Sequence, residues 1–231
     1  MTTLRLASWN IRKCMGLDRR RDPDRVLEGI ASLKADILAL QEADRRLGRR
    51  PSSLPREEIG ARTGLAPVAA GTHSVSLGWH GNALLLAPDL EAVAVHRLEL
   101  PGLEPRGALA VDVGGRAQLR VVAVHLGLRR VNRAQQLGTI LGWMRRQPPR
   151  PTAIIGDFNE WSASAGLDVL KGFALHSPGL TFHAARPVAP LDRIAVTEEI
   201  AVARAEVHQG PEVRRASDHL PITADVKLRS S

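Results

Sequence analysis

Short apolar runs that stop at polar residues recur along this 231-residue chain. Ala153 to Ile155 reads as a buried strand that closes at Gly156, with Asp157 and Asn159 following at alternate positions. If the extended conformation persists, those two side chains share a face. Leu4 to Trp9 reads as a first strand closing at Asn10, and Ile37 to Leu40 as a second ending in Gln41-Glu42. Asn82 to Leu86, Ala92 to Leu98 and Gly107 to Val113 are strands broken by Gly and Pro. Leu119 to Val124 runs into His125, Leu191 to Val196 carries Asp192, and Ile222 to Leu228 follows Ser217-Asp218-His219.

Helical spacing appears between these runs. Asp22-Pro23-Asp24 is a helix start, with Val26, Leu27, Ile30 and Leu33 along one face. Pro55 to Thr63 predicts a short helix. Val131 to Met144 predicts a longer one with Val131, Leu137, Leu141 and Met144 on one side, and a further helix falls within Ser162 to Leu170. Strands outnumber the helices interspersed among them. The class is α/β, with two packed sheets and helices outside rather than a single parallel sheet.

Hydrophobic content of 44% supplies a core, and no Ser/Gly/Pro-rich linker divides the chain, so residues 1–231 are expected to form one domain. Lys+Arg 32 against Asp+Glu 24 gives +8, which favours an anionic partner. Lys13, Lys34, Lys171 and Lys227 are the only lysines, so the excess is arginine, from drift in composition or from a binding surface. Aromatic content of 3% without Tyr argues against base-stacking platforms. The single Cys14 excludes an intrachain disulfide and a zinc cluster, and suits a reducing compartment. With no signal peptide pattern at the start and no membrane-length apolar run, the expectation is a soluble, cytoplasmic monomer without an obligate protein partner.

Each polar strand end has a plain structural explanation: Asn10 in a turn, Glu42 opening a solvated loop, His125 satisfied in the core, Asp192 paired with Arg193, Asp218 capping a turn, Asp157 forming an Asx turn. Together they have a common chemistry. Carboxylate and amide oxygens suit a hard cation such as Mg²⁺, which takes one or two carboxylates and keeps its waters. Two histidines and an arginine can donate to phosphoryl oxygens. Metal, acidic base and imidazole donors form a set suited to hydrolysing a phosphate ester.

The ordered set Trp9-Asn10, Gln41-Glu42, Gly81-Asn82-Ala83-Leu84-Leu85, Arg106-Gly107, Val124-His125-Leu126, Gly156-Asp157-Phe158-Asn159, Leu191-Asp192-Arg193-Ile194 and Ser217-Asp218-His219-Leu220-Pro221 resembles the endonuclease/exonuclease/phosphatase superfamily. This superfamily includes DNase I-like and exonuclease III-like enzymes, and the chain looks closest to a small bacterial branch with sphingomyelinase-like relatives. The resemblance implies a four-layered α/β sandwich of two mainly antiparallel sheets flanked by helices. It also implies hydrolysis of phosphate esters with Mg²⁺, Mn²⁺ being the alternative ion.

Position by position, Glu42 resembles the principal metal ligand, with Asn10 and Asp218 as its neighbours. Asp157 resembles the residue that activates the attacking water, and Asn159 the one that positions water and phosphate. His219 resembles a phosphate-contacting histidine oriented by Asp192, and His125 occupies a place held by His or Tyr. Arg106 and Asn82 resemble phosphate-side contacts. One position departs from the DNase-like branch, where a carboxylate follows this arginine and pairs with the first histidine. Here Gly107 follows instead, leaving His125 without that partner.

Arg12/Lys13, Arg19 to Arg21, Arg45, Arg46, Arg49, Arg50, Arg129, Arg130, Arg133, Arg214 and Arg215 flank these segments. They form either a positive funnel or solvated outer faces. The expected substrate is an anionic phosphoester, a nucleic acid or a phospholipid head group, cleaved as a diester. A phosphomonoesterase of the same fold and a non-catalytic anion- or nucleic-acid-binding module are the alternatives.

Overall fold

The computed structural model describes residues 2–46, 48–162 and 165–229. The chain runs β1 (Thr3–Asn10), α1 (Pro23–Leu33), β2 (Ile37–Gln41), α2 (Arg56–Thr63), β3 (Ala66–Pro67), β4 (Ala83–Leu86), β5 (Leu90–Leu100) and β6 (Arg106–Gly115). It continues through β7 (Leu119–His125), α3 (Arg130–Met144), β8 (Thr152–Asp157), β9 (Ala174–His176), β10 (Asp192–Val196), β11 (Ile200–Val207) and β12 (Ile222–Leu228). Two six-stranded sheets form, in the orders β11-β12-β1-β2-β4-β3 and β5-β6-β7-β8-β10-β9. Each is antiparallel except for one central pair, β1 with β2 and β7 with β8, joined through α1 and α3 respectively. A parallel pair needs a crossover of this kind.

Alternation along the strands builds the layers. Leu4, Leu6, Ile37 and Ala39 from the first sheet meet Val121, Ala123, Ala153, Ile155, Ile194 and Val196 from the second in a dry core between the sheets. The opposite face of the first sheet, with Ala7, Trp9, Leu38 and Leu40, packs on Val26, Leu27 and Ile30 of α1 and Ile59 of α2. Val122, Val124 and Ile154 of the second sheet pack on Leu137 and Ile140 of α3. The result is the expected four-layered α/β sandwich. Helix α1 starts where its residues direct: Asp22 accepts from the backbone N–H of Arg25 at 3.0 Å, and Pro23 fills the first turn.

Three strands have no counterpart in the sequence reading. β3 and β9 are two and three residues long, too short for periodicity to register, and β11 is an edge strand whose exposed Arg204 interrupts the apolar pattern. The stretch expected to be helical within Ser162 to Leu170 contains a single 3-10 turn, Asp168–Leu170, and its positions 163 and 164 lie outside the described residues. In α3 the expected face is corrected at one position, since Leu137, Leu141 and Met144 pack toward the second sheet as read. Val131 is exposed, whereas Asn132, Arg133 and Gln136 are buried beside Leu137 and Ile140, and the adjoining loops supply partners for Arg133 and Gln136.

Candidate active site

The inter-sheet apolar stripes end in polar residues at one rim of the sandwich. Leu4, Leu6 and Ser8 lead to Asn10; Val121 and Ala123 to His125; Ala153 and Ile155 to Asp157; and Val196 and Ile194, read backwards, to Asp192. Period-two alternation therefore aims all four into the gap between the sheets. The Nδ2 of Asn10 crosses that gap to donate to Oδ2 of Asp157 at 3.1 Å. Gly156 permits the close approach of β7 and β8 here. It has φ of 151°, and a Cβ would stand 2.0 Å from the carbonyl oxygen of Val124.

Asp157 is fully buried and surrounded by partners. Its Oδ1 accepts from the backbone N–H of Asn159 at 2.9 Å. Its Oδ2 lies 3.4 Å from Nε2 of His125 and 3.6 Å from Nε2 of His219. The Nδ1 of His219 is 2.8 Å from Oδ2 of Asp192, which orients the ring as expected. Trp9 donates from Nε1 to the carbonyl of His219 at 2.9 Å, and the Phe182 ring lies 5.0 Å from the imidazole.

Asn159 departs from the expected shared face. The strand ends at Asp157, Asn159 takes φ of 51°, and its Nδ2 donates to the carbonyl of Leu126 at 2.9 Å. The Asx turn and the site thus coexist, the turn tying Asp157 to the loop after β7.

Glu42 is re-aimed by its backbone. Gln41 stays in the stripe, where its Nε2 donates to Ser8 Oγ at 3.1 Å, but Glu42 has φ of 53° and swings toward an open cleft. Its carboxylate takes an ion pair from the Lys13 ammonium and lies 3.5 Å from Nη2 of Arg46. Asp218 pairs with Nε of Arg12 at 3.2 Å, and Ser217 anchors that loop by donating to the carbonyl of Asn10 at 2.6 Å. Arg106 and His125 line the same cleft of about 200 Å³, with Arg45, Arg46 and Arg50.

Electrostatics separates these groups. Burial pushes the Asp157 carboxyl up to about 6, opposed by His219 and reinforced by Asp192. Burial alone would lower His219, but Asp192 and Asp157 outweigh it and lift the imidazole to about 9. Burial, then Arg106 and His219, hold His125 well below its ordinary value. Lys13 is held down at about 8 by burial and by Arg46. Burial also lowers Arg106, partly countered by Asp157.

Two buried atoms on the phosphate side have no partner among the described residues: Nε of Arg106 and Oδ1 of Asn82. Nδ2 of Asn82 donates to the carbonyl of Gly107 at 2.8 Å. A Cβ on Gly107 would sit 2.6 Å from Nε1 of Trp79 and 2.9 Å from Cδ2 of His80, so these rings fill the space a carboxylate there would need. His125 faces Asp157 instead.

The donor chemistry for a metal is that of a hard cation. Glu42 on the cleft, Asp218, and the amide oxygen of Asn10, which also accepts from the Arg12 N–H at 3.1 Å, offer oxygen only. Among the described residues no three His, Cys, Asp or Glu side chains form a ready-made ligand cluster. Lys13 and Arg12 are the cations on the two carboxylates. The set fits a hydrated divalent ion and does not fit a tetrahedral zinc site.

The residue pattern did not single out Glu160, and it placed Lys13 only among the flanking cations. Lys13 sits in a turn where Arg12, Lys13 and Cys14 all have positive φ (46°, 56° and 60°), which brings it back onto Glu42. Glu160 is paired with Arg133 at 2.6 Å and Arg130 at 3.2 Å, behind Asn159. Its place directly after the Asp157-Phe158-Asn159 turn was the one available signal. Arg133 is thus a buried structural cation, not part of a funnel, while Arg45, Arg46 and Arg50 do rim the cleft.

A description of the Endonuclease/Exonuclease/phosphatase family matches residues 7–219. The chain belongs to this family. The uncharacterized protein YbhP of Escherichia coli is 31% identical over 221 residues, covering 87% of each chain. Among solved structures, the Bacteroides thetaiotaomicron mannosyl-6-phosphatase superposes with a TM-score of 0.77 at 16% identity, covering 97% of this chain and 100% of that one. The human Nocturnin catalytic domain with bound sulfate superposes with a TM-score of 0.74 at 19% identity, covering 98% and 93%. These likenesses show the fold. Members of the family are generally phosphoester hydrolases and typically use divalent metals. No helix among the described residues is long and apolar enough to cross a membrane.

Proposed function

We propose that this protein is a Mg²⁺-dependent phosphoester hydrolase acting on phosphodiesters by in-line attack of water. The observation that carries the reading is the environment of Asp157: a buried carboxylate held by the Asn10 amide and the Asn159 N–H, with two imidazoles within 3.6 Å. A carboxyl at about 6 is matched to removing a proton from water near neutral pH. The proton passes to Asp157 as the water oxygen bonds to phosphorus and the ester oxygen departs. His219, protonated at that pH, donates from Nε2 to a phosphoryl oxygen while Asp192 holds Nδ1. The unpartnered Nε of Arg106 offers a second donor, and Asn159 fixes the loop beside the reacting atoms. Glu42, with Asn10 and Asp218, would hold the divalent ion, whose chemistry is to withdraw charge from the phosphoryl group.

The deciding experiment assays purified protein on a soluble aryl phosphodiester and the matching monoester, with Mg²⁺, with Mn²⁺ and with chelator. Diester turnover that chelator stops and Mg²⁺ restores is expected. Turnover unaffected by chelator overturns the metal assignment, and faster monoester turnover overturns the preference for diesters.

A further inference from the structure

Four exposed apolar side chains stand on segments that adjoin the arginine-lined cleft. Leu103, Leu128, Val131 and Trp161 are 69%, 65%, 59% and 59% exposed. They belong to neighbouring segments. Leu128 lines the cleft, and the segment holding Leu103 continues into Glu104 and Pro105, which also line it. Gln136 ties these two segments together, donating to the Pro101 carbonyl at 2.9 Å and accepting from the Gly127 N–H at 2.8 Å. Val131 follows Arg130, whose guanidinium bonds Glu160, the residue before Trp161. Trp161 in turn meets Phe182 edge-on, with centroids 6.0 Å apart, and Phe182 packs on His219. These links hold the four apolar side chains on segments beside the cleft that Leu128 lines, and Arg45, Arg46 and Arg50 line that cleft as well.

Exposed apolar residues scattered singly need no explanation, and Val93 and Leu175 on the edge strands β5 and β9 are of that kind. Exposed apolar side chains on linked segments beside a candidate active site are different, because apolar surface kept in water next to a reaction centre marks a contact made during function. Aliphatic side chains such as Leu103, Leu128 and Val131 gain nothing from a phosphate-sugar backbone, and Trp161 is the one aromatic among the four exposed residues. A Trp with aliphatic neighbours and flanking arginines is the composition that settles into a headgroup region, rings and methyls below and guanidinium groups at the phosphates. The net charge of +8 adds the long-range attraction.

We propose that the face bearing this cleft docks on an anionic phospholipid bilayer, Leu103, Leu128, Val131 and Trp161 entering the interface while the arginine rim meets the headgroups. Docking would present a lipid phosphoester to the cleft, and that consequence rests on the hydrolase reading above. The contact itself does not.

The test is co-sedimentation of the full chain with vesicles of zwitterionic lipid alone and of zwitterionic plus anionic lipid, alongside binding to duplex DNA. Brominated acyl chains serve as a quencher of Trp161. The wild type is expected to pellet with anionic vesicles and to lose fluorescence to the bromines. Val131→Ser with Trp161→Ser should weaken pelleting by at least about tenfold. Arg45→Ala and Arg46→Ala should each weaken it about fivefold. Unchanged melting temperatures would show that these surface variants fold. Equal pelleting of wild type and the Val131/Trp161 double variant, or DNA retention without vesicle binding, overturns the proposal. Asp157→Asn protein should pellet like wild type, so a wild type that binds vesicles yet hydrolyses no phosphoester would sink the hydrolase reading alone.

Discussion

The units β1–α1–β2 and β7–α3–β8 are built alike, each a central parallel pair with polar residues at its C-terminal end, yet they finish in different environments. In the first, left-handed turns at Arg12 to Cys14 and at Glu42 carry charge out of the inter-sheet stripe to an open cleft, where Lys13 and Arg46 meet Glu42. In the second, His125 and Asp157 stay in the stripe, and one carboxylate is enclosed by imidazoles and amides. The two helices differ in the same sense. Helix α1 buries Val26, Leu27, Ile30 and Leu33, whereas α3 buries Asn132, Arg133 and Gln136, and the bonds of Arg133 and Gln136 fix the loops beside His125 and Asn159. A hydrated cation needs oxygen ligands with access to water, and a base working near neutral pH needs desolvation. One architecture supplies both by leaving the stripe on one side and keeping to it on the other.

The largest effect that tests this division is kinetic. Asp157→Asn should lower kcat about 10³-fold without changing the Mg²⁺ concentration for half-maximal rate. Glu42→Gln should raise that concentration at least about tenfold. Steady-state metal titrations of both variants check this, and identical responses would abolish the distinction. Next is backbone fit. Gly156→Ala drives a Cβ into the Val124 carbonyl and should cost about 3 kcal/mol by urea unfolding. Gly81→Ala, with φ of 82° but its nearest atom 3.5 Å away, should cost about 1 kcal/mol.

A smaller change is expected at Asp192→Asn, which removes the carboxylate that outweighs burial at His219. The imidazole of the metal-free protein should then titrate below about 9 by NMR, and kcat should fall about tenfold. Smallest is the pH response of Glu160. Burial would raise its carboxyl, but the Ser162 N–H, Arg133 and Arg130 bring it down to about 2. A depressed carboxylate contributes stability that is complete above its unfolded value of 4.5 and is lost as pH falls through about 2. Glu160→Gln should flatten that acid limb in melting temperature against pH, and an unaltered limb would remove Glu160 from the account.

The strands that hold the site were legible because buried positions dominate them: every residue of β2, β7, β8 and β10 is buried, and in β1 all but Thr3 and Arg5. β3, β9 and β11 were not, because edge strands are short or half-solvated and their pattern is diluted. The buried polar side of α3 was missed for a related reason. Burying Arg133 is favourable only because Glu160 and the Gly127 and Leu128 carbonyls wait for it, and those partners come from other parts of the chain.

Locally coded properties were determined by the sequence alone: alternation that sorts side chains between two faces, the Asp22-Pro23 helix start, and polar residues set at the ends of apolar strands. Tertiary structure alone decided which of those ends meet. Asn10 and Asp157 are 147 residues apart and touch because two sheets pack face to face, and Glu42 reaches the cleft because φ of 53° turns it there. Spacing along a strand fixes the side on which a residue lies, but the partner across the gap is set by how the sheets stack, which no local pattern encodes.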